Sequence, residues 1–303
     1  PAPNRSVINL VGDGSIYGNI DFAAGDTINV SGGETWFDGI INPECQFDAC
    51  GEGTLNIGSG GALFLRHDSA GSDGPSAAHV EQLNVAADGT LIFELPTGAD
   101  PEDSYPQITA NVANLDGTLL VRPGTGLFAD SYQFENVIDA NVRNGQFDHC
   151  GIDGDPVLLE LSCVYNAQGN IDLGIDRVAF NAVDGLTRNQ TAVGSGIEAL
   201  YDVNLTGPFR ALVEQLFTFD DGEYRGAIDQ LSGAGYAAYQ QSFHSLGAHY
   251  NQLIDRATEC AMPQRASSAL DCRTDKVHIW GQLDAGGRPP EGEAEGSGYN
   301  STR

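Results

Sequence analysis

Cysteine is the residue type whose spacing in this sequence most directly suggests a chemical role. The six cysteines fall into three neighbouring pairs, which are Cys45 with Cys50, Cys150 with Cys163, and Cys260 with Cys272. An even number of closely spaced cysteines is typical of disulfide-bonded proteins from an oxidising compartment. No pair has the C-x-x-C spacing of common zinc sites. The sequence therefore predicts three structural disulfides, each of which closes a short loop, and no zinc.

Signatures of catalysis and of cofactor binding do not occur in the sequence. It contains no G-x-S-x-G, no H-E-x-x-H and no G-x-x-x-x-G-K-[ST] motif. Ser232, in "QLSGAG", is interpreted as a helix end. The adjacent His67, Asp68 and Ser69 are interpreted as part of a loop, because a catalytic triad requires spatial geometry rather than adjacency. We therefore predict no catalytic residue, no cofactor and no metal site, and a protein that is not an enzyme.

Two acidic groups are the strongest candidates for carbohydrate or metal chemistry, namely residues 100–103 and the set Asp148, Asp153 and Asp155. Paired carboxylates on one face of a solenoid can act on polysaccharides, and carboxylate oxygens also suit calcium. Asp and Gly equally form ordinary solvated turns. The sequence contains neither the spacing of an EF-hand loop nor the nonapeptide calcium repeat. The histidines are scattered and predict no metal pair: His67, His79, His149, His244, His249 and His278.

The charge balance excludes one class of partner. The sequence has 42 Asp and Glu against 14 Lys and Arg, which gives a formal net charge of -28. An excess of this size repels phosphate backbones and anionic membrane surfaces. We therefore predict no binding to nucleic acid.

Export and membrane signals are not recognisable in the sequence. The first ten residues, "PAPNRSVINL", have neither the basic region nor the apolar region of a signal peptide. No apolar run approaches the ~18 residues of a transmembrane helix. If the protein is exported, its signal has been removed or lies outside this sequence.

From Val7 to about Ala182, the sequence consists of short β-rich runs separated by Gly, Asn and Asp. A four-residue phrase recurs at residues 13–16, 52–55, 88–91 and 116–119. It consists of an acidic residue, then Gly, then Ser or Thr, and then Ile or Leu. The glycine supplies a turn conformation and the next residues begin a strand. The intervals between these phrases are unequal, so we expect no strict tandem repeat. Stacked turn-and-strand units favour a solenoid of parallel strands, and a β-sandwich or jelly roll is the alternative.

After Asp184 the pattern becomes helical. Residues 186–204 carry apolar side chains at helical intervals, with Thr187 as a predicted N-cap. "GPFRALVEQLF" begins a second helix with Pro208 in its first turn. "YRGAIDQLSG" forms a third helix, which Gly233 ends.

The fourth predicted helix has a long apolar stripe, made of Tyr236, Tyr239, Phe243, Leu246, Tyr250, Leu253 and Ala257. The stripe either packs on neighbouring helices or binds something outside this chain. From Val277, "VHIWGQLDAGG" alternates like a strand that cannot bury a face alone. It predicts the first piece of an incomplete sheet.

The order of these parts resembles the type Va (monomeric) autotransporters of Gram-negative bacteria. "GDTINVSGGETWFDGIINP" and "GTLNIGSGGALFLR" are similar to the last coils of such passengers. "LNVAADGTLIFELP", continuing through "YPQITANVANLDGTLLV", is similar to their C-terminal folding-nucleus region. "AIDQLSG" with the following aromatic helix is similar to the linker, "IWGQLDAGG" to the first strand of the translocator barrel, and "GSGYN" to the opening of its second strand. The resemblance covers nearly the whole chain.

The resemblance implies a mainly β fold with three parts. These are a right-handed parallel β-helix stem at residues 1–183, a helical linker at 184–276, and the first strands of a truncated translocator β-barrel at 277–303. The implied function is a surface-exposed structural stem that supports secretion, folding and display of a distal adhesin-like region. Its implied partner is the translocator barrel of the same polypeptide, and its implied location is the outer membrane or cell surface, or the secreted fraction. A β-helix enzyme acting on polysaccharide and a self-associating adhesin or surface filament are the alternatives.

Overall fold

The computed structural model describes residues 5–44, 52–67, 74–98, 104–167 and 169–261. Its strands are β1 (Val7–Val11), β2 (Gly14–Tyr17), β3 (Thr27–Ser31), β4 (Gly33–Asp38), β5 (Ile40–Ile41), β6 (Thr54–Ile57), β7 (Gly61–Leu65), β8 (Ala77–Val85), β9 (Thr90–Leu95), β10 (Gln107–Leu115), β11 (Thr118–Pro123), β12 (Ser131–Gly145), β13 (His149–Ile152), β14 (Leu159–Tyr165) and β15 (Ile171–Arg177). Its helices are α1 (Arg188–Glu198), α2 (Pro208–Leu216), α3 (Asp221–Leu231) and α4 (Ala234–Ala261).

The parallel strands stack in two sheets as a β-solenoid. One sheet runs in the order β1-β3-β6-β8-β10-β12, and the other in the order β2-β4-β7-β9-β11-β13. Successive strands alternate between the sheets, so each coil contributes a strand to both, and the short β5 also pairs with β8. This arrangement confirms the predicted β-helix and excludes the sandwich, whose strands would be antiparallel.

The space between the two sheets is filled by aligned apolar side chains. In the second sheet, Phe37, Leu65, Phe93 and Val121 occupy equivalent positions on successive strands and are fully buried. Burial of each such side chain contributes roughly 1.5–3 kcal/mol. Each coil therefore covers the core of its neighbour, and the stack is stable only as a whole.

A glycine repeat sets the turn before the second sheet. Gly33, Gly61, Gly89 and Gly117 begin or precede strands in register and recur at a constant interval of 28 residues. A Cβ on Gly61 would lie 2.5 Å from the carbonyl oxygen of Val30 in the preceding coil, which no side chain tolerates. The interval is constant only from β4 to β11, since β2 pairs with β4 at an interval of 21 residues and β11 with β13 at one of 31, so the expectation of no strict tandem repeat is confirmed for the whole sheet. The phrase at residues 52–55 obscured the repeat, because it opens β6 in the first sheet.

A ladder of asparagine side chains runs along the outer surface of the first sheet, which the sequence analysis did not identify. Each amide nitrogen donates to the amide oxygen on the preceding strand at 2.6–2.8 Å. The ladder consists of Asn9, Asn29, Asn56, Asn84, Asn114 and Asn144. These hydrogen bonds fix the register between strands, because a shift by one residue would turn every asparagine to the other face.

Replacing Asn84 by alanine is expected to lower the free energy of unfolding by about 2 kcal/mol, since it removes two ladder bonds worth about 1 kcal/mol each. Asn9→Ala removes one ladder bond and is the matched control, with about half the effect. Urea denaturation monitored by circular dichroism measures both. Equal losses for the two variants would argue against a cooperative ladder.

The end of the solenoid that follows β12 is covered by antiparallel structure. β15 pairs with β12 in antiparallel orientation, with a register shift between Phe134 and Ile138, and β14 pairs with β15. The inner residues of β15, such as Leu173, are fully buried. The hairpin therefore ends the parallel stack and protects its last interior layer from water.

Helices α1 to α3 extend the same hydrophobic core. Phe128, Phe180, Tyr201 and Phe217 form a cluster of rings with centroids 4.9–5.9 Å apart. The hydroxyl of Tyr224 in α3 donates to the carbonyl oxygen of Phe180. Aromatic clusters of this kind bury large areas, so the first three helices act as a lid on the end of the solenoid.

The helix boundaries agree with the sequence in part. Thr187 caps α1 with a reciprocal capping box, Pro208 begins α2, and Gly233 with its positive φ follows α3. The first helix is shorter than expected, because it ends at Glu198 rather than continuing to residue 204. Tyr201 lies beyond it and belongs to the aromatic cluster, so tertiary packing overrides the helical spacing.

Candidate functional site

The predicted cysteine pairs have different outcomes. Cys150 on β13 and Cys163 on β14 lie at disulfide distance, with their Cα atoms 6.5 Å apart. This pair connects the last strand of the second sheet to the hairpin that covers the solenoid. Cys45, Cys50, Cys272 and the side chain of Cys260 lie outside the described residues. Their two disulfides remain predictions.

Removal of the Cys150–Cys163 bridge is expected to lower the free energy of unfolding by about 3 kcal/mol, the value for a loop of about 15 residues in the chain-entropy model. The variant Cys150→Ser with Cys163→Ser should show this loss in urea denaturation without reductant. Addition of a reductant should lower the free energy of unfolding of the wild type by breaking this bridge. The double variant lacks the bridge and should not show this loss. An unchanged unfolding midpoint for the double variant would contradict a stabilising bridge.

The acidic candidates Asp148, Asp153 and Asp155 are loop residues, whereas most of the described histidines lie in regular elements. His79 is on β8, His149 begins β13, and His244 and His249 are on α4. Asp153 accepts a hydrogen bond from Arg122 at 2.7 Å, and Asp155 adopts a left-handed turn conformation with φ of 50°. Residues 100–103 lie outside the described part of the chain, as do Asp68 and Ser69. No group of three or more His, Cys, Asp or Glu side chains in the described ranges is arranged to hold a metal ion.

Ser232 lies at the end of a helix, as the sequence predicted. It is the C-cap residue of α3, and its hydroxyl donates to the carbonyl oxygen of Asp229 at 2.6 Å. Gly233 follows with a φ of +70°, which ends the helix.

The apolar stripe of α4 is exposed where its side chains are described. Phe243 is 55% exposed, Leu246 65% and Tyr250 62%. Within the described part of the chain, Leu246 and Tyr250 are therefore not buried by neighbouring helices, which was one of the two sequence-based alternatives. The side chains of the stripe residues Tyr236, Tyr239, Leu253 and Ala257 lie outside the described ones. An exposed row of large apolar groups along a helix is typical of an interaction surface.

The α4 stripe also differs from the rest of the chain in charge. The whole sequence has a formal net charge of -28, yet residues 234–261 contain only Asp255, Arg256 and Glu259 as formally charged side chains. Little electrostatic repulsion therefore opposes close approach of a partner to this helix. Among the described residues, none of the helices combines the length and the apolarity that a membrane crossing needs.

An ion-pair network joins the solenoid to α1. Arg177 at the end of β15 is nearly buried and forms two hydrogen bonds of 2.8 and 2.9 Å with the carboxylate of Glu198. It also contacts Asp130 at 2.7 Å, and its guanidinium lies 4.7 Å from the ring centroid of Tyr201. The hydrogen bonds from Arg177 hold the pKa of Glu198 below its ordinary value of 4.5. The network therefore stabilises the lid in its ionised form.

This network predicts an acid-sensitive lid. A carboxylate whose pKa is lowered by folding stabilises the protein above the unfolded-state pKa, and this contribution is lost as pH falls through the lower folded-state value. Glu198→Gln should therefore cost about 2 kcal/mol at neutral pH, the scale of hydrogen bonds to a charged group. The difference between wild type and variant should shrink below pH 4.5. Thermal melts across pH, with the exposed Glu160→Gln as control, measure it, and a pH-independent difference would contradict it.

Comparisons of the chain with family models, with curated proteins and with solved structures found no match.

Proposed function

We propose that this chain is the structural stem of an autotransporter passenger with its helical linker. In this role the solenoid stands outside a Gram-negative cell and carries a distal region away from the membrane. The linker helix α4 connects the stem to the translocator barrel of the same polypeptide. The role is mechanical, and it needs no catalytic residue.

The solenoid and its lid support this proposal. A stem that folds outside the cell must gain its stability without cellular energy, and a continuous apolar core supplies such a driving force. The hairpin of β14 and β15 and the lid of α1 to α3 lie between the parallel strands and α4 in the chain. They cover the end of the apolar core next to the linker, as a stem near a membrane surface requires.

The single observation that carries the proposal is the exposed stripe of α4. Leu246 and Tyr250 would each contribute roughly 1.5–3 kcal/mol if a partner buried them. A linker helix of this kind gains stability only when a surface outside the solenoid covers the stripe.

Surface exposure on cells tests the proposal. The protein is expressed from its natural gene in a Gram-negative host, and an antibody raised against the purified chain is applied to intact cells. The proposal expects antibody binding to intact cells, loss of the signal after external protease, and sedimentation of the protein with the outer membrane. A protein that becomes accessible only after cell lysis would contradict it.

Self-association is the second candidate, and the same stripe of α4 favours it. A second copy of the chain could cover Leu246 and Tyr250 by helix pairing. Light scattering over a range of protein concentrations separates the two candidates. A filament or adhesin of this type would show a mass that rises with concentration, whereas the stem alone would remain a monomer.

A further inference from the structure

A row of side chains on the outer surface of the second sheet is unusually apolar. Ser15, Trp36, Phe64, Ile92 and Leu120 occupy equivalent outward positions on successive strands. Phe64 and Ile92 are buried although they point away from the core, and the guanidinium of Arg122 lies 4.4 Å from the ring centroid of Phe64. Trp36 is 39% exposed, since its neighbour on β2 is only a serine. The small side chain leaves part of the indole accessible at one end of the row.

A groove lies beside this indole. Its volume is about 480 Å³, and it is lined by Asp13, Gly14, Ser15, Glu34 and Trp36. One wall is therefore aromatic, whereas the others present a hydroxyl and two carboxylates. Sites that bind small molecules combine apolar surface with a few fixed polar groups in this way.

The polar groups around the groove are held in place by the fold. Arg122 forms hydrogen bonds of 2.9 and 3.1 Å with the two carboxylate oxygens of Glu34, although 88 residues separate them. It also donates to Asp153 at 2.7 Å, and its guanidinium lies 4.4 Å from the ring centroid of Phe64. These hydrogen bonds, first of all those with Glu34, raise the pKa of Arg122. Groups fixed before a ligand arrives lose little entropy when it binds.

Two buried polar atoms near Trp36 keep unused hydrogen-bonding capacity. Asp38 is 3% exposed, and one of its oxygens contacts Arg66 at 3.4 Å, whereas the other has no hydrogen-bond partner among the described residues. The Nε of Arg66 likewise forms no hydrogen bond there, although it lies 3.8 Å from the carboxylate of Glu94, and the guanidinium lies 5.9 Å from the ring centroid of Trp36. Neither residue is among those that line the groove, so a ligand would meet Trp36 first.

The chemistry of the groove selects among ligand classes. Anionic ligands would meet Asp13 and Glu34 in a chain of net charge -28, and the nearby arginines are already paired with carboxylates. Cationic ligands would compete with Arg66 and Arg122, whose guanidinium carbons both lie 5.9 Å from the ring centroid of Trp36. A purely apolar ligand would leave the polar walls unpaired. A neutral molecule with one C–H face and several hydroxyl groups satisfies both kinds of wall.

We propose that the groove at Trp36 is a binding site for a neutral sugar ring of an oligosaccharide. The C–H face of the sugar packs on the indole, and its hydroxyl groups donate to Asp13 and Glu34. The site binds and does not cleave. It gives the solenoid an affinity for glycans that is independent of the stem function proposed above, and either can fail without the other.

Tryptophan fluorescence in the full chain tests this proposal. The sequence has two tryptophans, so the background variant Trp280→Phe leaves Trp36 as the sole indole. The probes are maltohexaose, cellohexaose, mannohexaose and chitohexaose, with the hexamer of galacturonic acid as the anionic comparison. The proposal expects saturable fluorescence changes with at least one neutral oligosaccharide and none with the anionic one. Release of shorter sugars in the same samples would show cleavage and overturn the assignment of a binding site.

Matched variants locate the site by isothermal titration calorimetry in the otherwise unaltered chain. Trp36→Ala should weaken binding of the active oligosaccharide at least tenfold, Trp36→Tyr should retain much of it, and Tyr250→Ala on α4 should have no effect. Thermal melts check that each variant is folded. Binding to none of the four neutral probes, preferred binding of the anionic hexamer, or equal affinity for Trp36→Ala and wild type would overturn the proposal.

Discussion

Replacing Phe93 by aspartate is expected to abolish cooperative folding of the solenoid. Phe93 is fully buried between Leu65 on β7 and Val121 on β11. The change removes a large apolar side chain and places a carboxylate in the core, where an unpaired charge costs several kcal/mol. Together, the lost apolar burial and the cost of the buried charge approach the entire stability of a typical domain, about 5–15 kcal/mol. Urea denaturation followed by circular dichroism should show no cooperative transition for the variant.

Two controls separate a core effect from a general effect of charge or sequence change. Phe93→Leu keeps an apolar side chain and should lower stability by roughly 1 kcal/mol, within the range of conservative core substitutions. Gln107→Asp adds the same charge at an exposed strand position and should have little effect. A near-normal transition for Phe93→Asp would show that the stacked interior does not hold the solenoid together.

Introducing charges into the α4 stripe is expected to abolish display of the stem on the cell surface without destabilising the solenoid. The double variant Leu246→Asp with Tyr250→Asp places two carboxylates where a partner surface is proposed to lie. The lost apolar burial, roughly 3 kcal/mol or more in total, corresponds to at least a hundredfold weaker binding of the helix to that surface. Because α4 and the proposed barrel belong to one polypeptide, the effect is measured by antibody binding to intact cells.

The matched control carries the same charges on the opposite face of α4. Gln241→Asp with Gln252→Asp has a comparable effect on helix propensity and net charge, and it should leave surface display unchanged. Urea denaturation should give similar midpoints for both double variants. If the stripe variant were displayed at the wild-type level, or if both variants lost the antibody signal equally, the stripe would not be the contact surface.

Local signals in the sequence predicted much of the fold. The Asp-Gly-Thr phrases mark the starts of β9 and β11, because glycine permits the tight turn and the β-branched residue favours the strand. Thr187 with Gln190 marks the start of α1 for a similar reason, since both groups satisfy backbone donors within one turn. The period of the α4 stripe predicted a helix. The exposure of Leu246 and Tyr250 depends on the tertiary structure and could not be predicted from that period.

Contacts that depend on the register between strands could not be predicted from local sequence patterns. The asparagine ladder joins residues 20–30 positions apart, and the contact of Arg122 with Glu34 spans 88 positions. Only the pairing of the strands brings these side chains together, and the interval between paired asparagines varies from 20 to 30 residues. In the second sheet, the constant interval of 28 residues between Gly33, Gly61, Gly89 and Gly117 was a usable signal, and it was hidden because the phrase at residues 52–55 opens a strand of the first sheet.

The antiparallel hairpin of β14 and β15 was not predicted, for a different reason. Both strands have the same apolar alternation as the parallel strands. Their direction reverses at the turn around Asn166 and Asn170, which side-chain and backbone hydrogen bonds close. Composition alone does not specify strand direction. The hairpin explains how the last coil avoids exposing its interior.

Native-state hydrogen exchange tests whether the stem is most stable at the end of the solenoid that β14, β15 and α1 to α3 cover, as we propose for a stem that begins to fold there. Exchange is measured on the intact chain by mass spectrometry, strand by strand. We expect that amides of β10, β12 and β15 exchange slowest, and that those of β1 and β2, at the edges of their sheets, exchange fastest. Equal protection along the solenoid, or stronger protection at β1 and β2 than at β15, would rule out a folding nucleus at the covered end.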